Sequence, residues 1–268
     1  MRTLVLMCAV LSPSLALAGP FAPPADQIGS TAVPYDSTSI VGWATGYQDL
    51  VRGPMDISNP SLGLASYGSG VDALGPADAQ NDSLPVVSLG DRGHITLTFA
   101  SPIRNGPGAD FAVFENGITD TFLELALVEV SSDGTHFFRF PSVSLTQTAT
   151  QVGPFDSLDA TNLYDLAGKY RRGFGTPFDL AELAGTSGLD INAVTQIRIV
   201  DVVGSINPAY GTLDSLGNLI NDPWPTPFAT GGFDLDAVGV LNFPPVPEPG
   251  TSLMLMSAAL IFTARRRR

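Results

Sequence analysis

From residue 91 onward, short runs of alternating apolar and polar residues end on Gly, Pro, Asp or Asn. His94-Ile95-Thr96-Leu97-Thr98-Phe99 alternates with a period of two, the pattern of a half-buried strand. Further strands are predicted over Ala109–Glu115, Leu123–Val130, Phe137–Phe140, Thr195–Val203 and Phe233–Leu241, with turn chemistry at Ser132-Asp133-Gly134-Thr135. Leu123–Val130 is apolar on both faces, so it belongs in the middle of a sheet. One short helix is expected within Leu158–Tyr170 and a single helical turn over Asp179–Ala184. Such a pattern defines a mainly β fold, an antiparallel β-sandwich or jelly roll with long loops. No internal repeat of fixed period is visible.

Residues 19–90 are loop-rich, with Ile40–Trp43 and Pro85–Leu89 as the best short strands; they form one domain with the core at 91–243. The only cysteine is Cys8, so the body holds together without disulfides. Of 13 Lys and Arg residues, Arg2 and Arg265–Arg268 stand at the ends. Of 26 Asp and Glu residues, Glu248 stands in the tail, which leaves the body a net charge of about −17. That charge repels nucleic acid and anionic lipid and suits hard cations. Plain solubility would explain it equally well.

Both ends carry address signals. Residues 1–18 have a basic start at Arg2, an apolar run from Leu4 to Leu11, and Ala16-Leu17-Ala18 before Gly19, the order of a signal peptide cut by signal peptidase after Ala18. Cys8 lies inside the apolar run rather than at its end, which excludes a lipoprotein anchor. Residues 246–268 run from Pro247-Glu248-Pro249 through an apolar stretch at 251–264 to the arginines at 265–268. A helix over that stretch rises about 21 Å, short of the ~30 Å hydrocarbon core. Marginal, transient insertion into the inner membrane is therefore expected, with the arginines cytoplasmic and the body outside.

VPEPGTS, an apolar stretch and RRRR together resemble the PEP-CTERM sorting signal of Gram-negative bacteria. The resemblance implies processing by exosortase near Pro247-Glu248-Pro249, export to the cell surface or extracellular matrix, and association with exopolysaccharide.

Three clusters carry candidate chemistry. Glu115 and Asn116 end a strand delivered by the turn Asn105-Gly106-Pro107-Gly108; alternation puts Asp110 on the opposite face from Glu115. Asp234 and Asp236 differ by two and so share a face, where two carboxylates repel unless a cation or an arginine intervenes. Asp214 and Asp222 bracket a loop of Ser, Gly and Asn that either holds Ca2+ or is simply polar; it lacks EF-hand spacing. The six residues Glu115, Asn116, Asp214, Asp222, Asp234 and Asp236 form the candidate Ca2+ ligand set. Trp224 and Phe228, stiffened by neighbouring prolines, make either a sugar-binding platform or core plugs.

Val128-Glu129-Val130-Ser131-Ser132-Asp133-Gly134 is similar to a hairpin of galactose-binding-like, discoidin-like jelly rolls. The stretch from Leu89 to Val240, with GPGADFAVFENG and GGFDLDAVGV, resembles a domain of exported bacterial surface proteins. In such jelly rolls the last strand often supplies a structural Ca2+ ligand, and Asp234 and Asp236 match that placement.

Neither His94 nor His136 sits in a nucleophile motif, and thiol catalysis is excluded in the body. The expected function is therefore a non-catalytic surface or matrix module, binding polysaccharide or acting as a Ca2+-stabilised scaffold. The alternative is a polysaccharide hydrolase or lyase using paired carboxylates.

Overall fold

The structure is a computed structural model that describes residues 18–78 and 85–243. Its strands are β1 (Val33–Pro34), β2 (Gly42–Trp43), β3 (Gly46–Val51), β4 (Val87–Ser88), β5 (His94–Ile103), β6 (Phe111–Glu115) and β7 (Ala126–Ser131). They continue as β8 (Phe138–Arg139), β9 (Val143–Ser144), β10 (Leu163–Tyr164), β11 (Phe174–Phe178), β12 (Val194–Asp201) and β13 (Asp234–Val240). Every strand pairing is antiparallel.

The first sheet has the order β1-β11-β6-β13-β2, and β4 pairs with the opening of β13. The second has the order β3-β5-β12-β7-β8, and β9 with β10 forms a separate pair. The two large sheets face each other as a β-sandwich. Ile95, Leu97, Val128, Val130, Ile197 and Ile199 of one meet Phe111, Val113, Leu235, Val238 and Val240 of the other in one buried cluster. At its heart Phe111 stacks on Phe178 with ring centroids 5.3 Å apart, and Phe140 meets Phe178 edge-on at 5.1 Å.

β6 and β13 are buried along their whole length because both their faces are covered. Val33, Tyr35, Ile40 and Trp43 pack against Ala112, Phe114 and Ala237 on the outer face. The loop-rich 19–90 segment thus contributes β1 to β4 and half of the cover. On the outer side of the second sheet, Leu125 and Leu127 lie in a smaller cluster with Val152, Leu158, Leu163, Leu166 and Ile220.

The expected helices are single 3-10 turns, Ala160–Asn162 and Leu180–Leu183. Asp159 and Asp179 cap them, accepting hydrogen bonds from the Thr161 and Ala181 amides at 2.9 Å each. The first turn runs straight into β10, which ends the helical stretch. The Ser132–Thr135 hairpin turn is fixed by Asp133, whose Oδ1 accepts from the Thr135 and His136 amides at 2.8 Å each. Five strands are additional to those the sequence predicts: β1, β3, β9, β10 and β11.

Among the described residues no helix is long and apolar enough to cross a membrane. Cys8, Ala16, Pro247, Glu248, Pro249, the 251–264 stretch and the terminal arginines lie outside the described residues. Ala18 is exposed, and from Gly19 the chain is bonded to the body through the Gly19 amide and Thr161 Oγ1 at 2.6 Å.

Candidate functional site

At the end of the sandwich where β6 finishes and β13 begins, several carboxylates lie in one neighbourhood. β6 delivers Glu115, 1% exposed, whose Oε2 accepts the Gly117 amide at 2.6 Å. The segment leading into β7 delivers Glu124. Asp222, 3% exposed, comes from the long loop before β13, and its Oδ2 accepts the Leu125 amide at 2.9 Å. The other oxygens of Glu115 and Asp222 (Oε1 and Oδ1) are buried with no hydrogen-bond partner.

Asp234 opens β13. Its Oδ1 accepts the Ser88 hydroxyl, and its Oδ2 accepts the Asn116 side-chain amide at 3.2 Å. Asp201 ends β12, bonded by the Phe233 amide at 2.7 Å and the Arg92 amide at 3.0 Å. Asp91 extends the series, accepting from the Ile57 amide at 2.7 Å and Trp224 Nε1 at 3.2 Å.

Burial sets the electrostatics. Loss of water pushes the Glu115 and Glu124 carboxyls well above the ordinary range. The charge of Asp234 adds to the effect at Glu115, and Glu115, Asp234, Asp222 and Asp201 add to it at Glu124. Asp201 and Asp222 are likewise pushed well up by burial. Asp234 rises to about 6 through burial, with Ser88, Asn116 and the Arg52 guanidinium restraining it. Among the described residues no Lys or Arg forms an ion pair with Glu115, Glu124, Asp201 or Asp222.

A cleft of about 340 Å3 opens beside these acids. Glu124, Asp234 and Asn116 are among its polar lining residues, and Phe122, Phe155 and Phe228 among its apolar ones. The rings run in series, Phe122 to Phe155 at 6.5 Å and Phe155 to Phe228 at 5.8 Å between centroids. Phe155 is 73% exposed.

The structure therefore brings together Glu115, Asn116, Asp222 and Asp234 of the six sequence candidates and separates the other two. Asp236 accepts the Asp78 amide at 3.2 Å, with Arg172 as its attracting charge, and burial lifts it to about 7. A register shift between Leu235 and Ala237 breaks the alternation that pairs Asp234 with Asp236. Asp214 is occupied by its own loop and by β9, bonded by the Leu216, Asn218 and Ser144 amides at 2.9, 2.8 and 3.1 Å. Phe228 lines the cleft, whereas Trp224 lies against Tyr210, ring centroids 6.5 Å apart, with its indole nitrogen on Asp91. Sequence reasoning missed Glu124, Asp201 and Phe155. The first two sit at ends of strand-like runs that read as purely apolar, and Phe155 sits in a loop with no periodicity.

Fold and site together define a β-sandwich with an acidic chamber beside a cleft lined partly by aromatic rings. Residues 245–268 match the family model of the PEP-CTERM protein-sorting motif. The tail marks the chain as an exported protein sorted by exosortase. No curated protein matches the chain.

Proposed function

We propose that the body is a non-catalytic module of the cell surface or extracellular matrix of a Gram-negative bacterium, and that its cleft binds exopolysaccharide. The signal at residues 1–18 hands the chain to signal peptidase, and the tail inserts transiently before exosortase acts. One observation carries the ligand class: three phenylalanine rings in series and three polar side chains, Asn116, Glu124 and Asp234, line one cleft. Sugar rings present apolar faces and hydroxyl edges, and a cleft lined by both rings and hydrogen-bonding groups meets both. The galactose-binding-like jelly roll is the sandwich type to which this reading assigns the body.

Affinity electrophoresis of the exported protein through gels holding the host's own exopolysaccharide tests the reading. Retardation is expected, and Phe155→Ala and Phe228→Ala should each weaken it about ten-fold, the loss of roughly 1.4 kcal/mol of ring contact. Equal mobility with and without polysaccharide would sink it.

A second reading, hydrolase or lyase, is favoured by Glu124 and Asp234, which both line the cleft. Burial pushes Glu124 well above the ordinary range, the direction a general acid requires, and lifts Asp234 to about 6. It predicts release of reducing ends, abolished by Glu124→Gln. Binding without any such release leaves the non-catalytic module standing.

A further inference from the structure

We propose that the chamber at the end of β6 is a Ca2+ site, with Glu115 and Asp222 as its carboxylate ligands. The inference does not depend on the cleft's binding a sugar.

The buried, partnerless oxygens carry it. Glu115 Oε1 and Asp222 Oδ1 have no donor among the described residues, and a buried polar atom left unpaired costs about 1–3 kcal/mol. Each belongs to a carboxylate whose second oxygen is pinned by a backbone amide, Gly117 for one and Leu125 for the other. The free oxygens are therefore held in place rather than swinging toward solvent. Asp222 adds to the field at Glu115, and both act on Glu124 together with Asp234. Two pinned carboxylates, each with one unpartnered oxygen, suit a cation.

The surroundings favour a hard ion that accepts irregular geometry. Among the described residues no three Asp, Glu, His or Cys side chains are gathered as a ready metal set. Two carboxylates with neutral oxygens suit Ca2+, which takes six to eight oxygens including carbonyls and waters; they do not suit Zn2+, which wants nitrogen or sulfur in a tetrahedron. The backbone supplies one neutral oxygen. A Cβ placed on Gly117 would lie 2.9 Å from Glu115 Oε2 and 2.9 Å from the Phe122 carbonyl oxygen. Both oxygens thus border the same small space, kept open because residue 117 has no side chain. Asn116 adds an amide next to Glu115 in the chain.

The rival account is a chamber kept neutral by protons alone. Thermal melting of the exported protein after EDTA treatment, with and without added CaCl2, separates the two. A single site at one hundred times its dissociation constant should raise the midpoint by about 5–10 °C. Glu115→Gln and Asp222→Asn should each weaken the calcium response at least ten-fold, whereas Asp236→Asn should keep it. If either chamber variant fails to fold, equilibrium dialysis of the wild-type protein against CaCl2 decides by stoichiometry, with one ion per chain expected. An unchanged midpoint with no bound ion, or a calcium response undiminished in both chamber variants, overturns the proposal.

Discussion

Asp110→Ala should lower the unfolding free energy by about 3–5 kcal/mol, read as a fall in the urea midpoint at constant slope. Asp110 is fully buried, and its carboxylate ties three distant pieces of chain. Oδ1 accepts the Gly106 amide at 2.7 Å and the Asn242 side-chain amide at 2.9 Å, while Oδ2 accepts the Leu180 amide at 2.8 Å. Its own carbonyl accepts the Leu241 amide at 2.8 Å. Alanine would strand three buried or half-buried donors at once, each worth about 1–3 kcal/mol when unsatisfied, with water recovering part of the sum. Asp110→Asn should cost about half as much, because the shape survives but one acceptor becomes a donor facing an N–H. If the alanine variant lies within about 1 kcal/mol of the wild type, Asp110 is not the tie that its hydrogen bonds describe.

Asp110 also shows where sequence reading stops. The GPGAD turn looks like a ligand-binding loop, since glycines and an aspartate are what such loops use. The same residues serve equally well to knot a β-sandwich together, and only the positions of residues 180 and 242, far away in sequence, decide which. The strands that alternate cleanly, β5, β6, β12 and β13, are all legible in the sequence. β3 is not, because it is largely exposed and Asp49 breaks it with φ of 53°, shifting its register on β5. β11 is hidden by Pro177. That proline is tolerated because β1 pairs only with Phe174 and Gly175, so beside Pro177 the strand has no neighbour on that side to lose a bond with.

The site divides along the same line. Glu115, Asn116 and Asp234 are visible as polar residues at strand ends. That Glu115 meets Asp234 is a fact of sheet order, β6 next to β13, and Asp222 is tied to the segment before β7 through Leu125; no local pattern encodes either. The Asp234–Asp236 pairing fails for a local reason, the bulge at 235–237, but nothing in the Asp-Leu-Asp triplet announces a bulge.

The largest effect belongs to pH. In the absence of divalent metal, the protein should be more stable at pH 5 than at pH 8, by several kcal/mol in urea unfolding with EDTA present. The folded values of Glu115, Glu124, Asp201 and Asp222 stand well above ordinary, with Asp234 at about 6, Asp236 at about 7 and Asp165 at about 8. In the unfolded chain these groups titrate near 4. Below pH 4 both states hold their protons and the folded state has its full advantage. As pH rises through the folded values, each buried carboxyl must either stay protonated against the solvent or ionise against its neighbours, and stability falls. Asp236 alone, moved from its ordinary value to about 7, corresponds to about 4 kcal/mol. Lys169, the chain's only lysine, works the other way, because burial lowers it to about 8. Its window lies between about 8 and 10.5, so it lifts stability only above pH 8 and leaves the acid slope intact. Calcium should flatten that slope, since an ion at Glu115 and Asp222 selects their charged forms, and the flattening should shrink in Glu115→Gln. A midpoint that is flat or rising from pH 5 to pH 8 in EDTA would mean that these acids are not held neutral by burial, and the chamber would lose the electrostatic tension on which a cation acts.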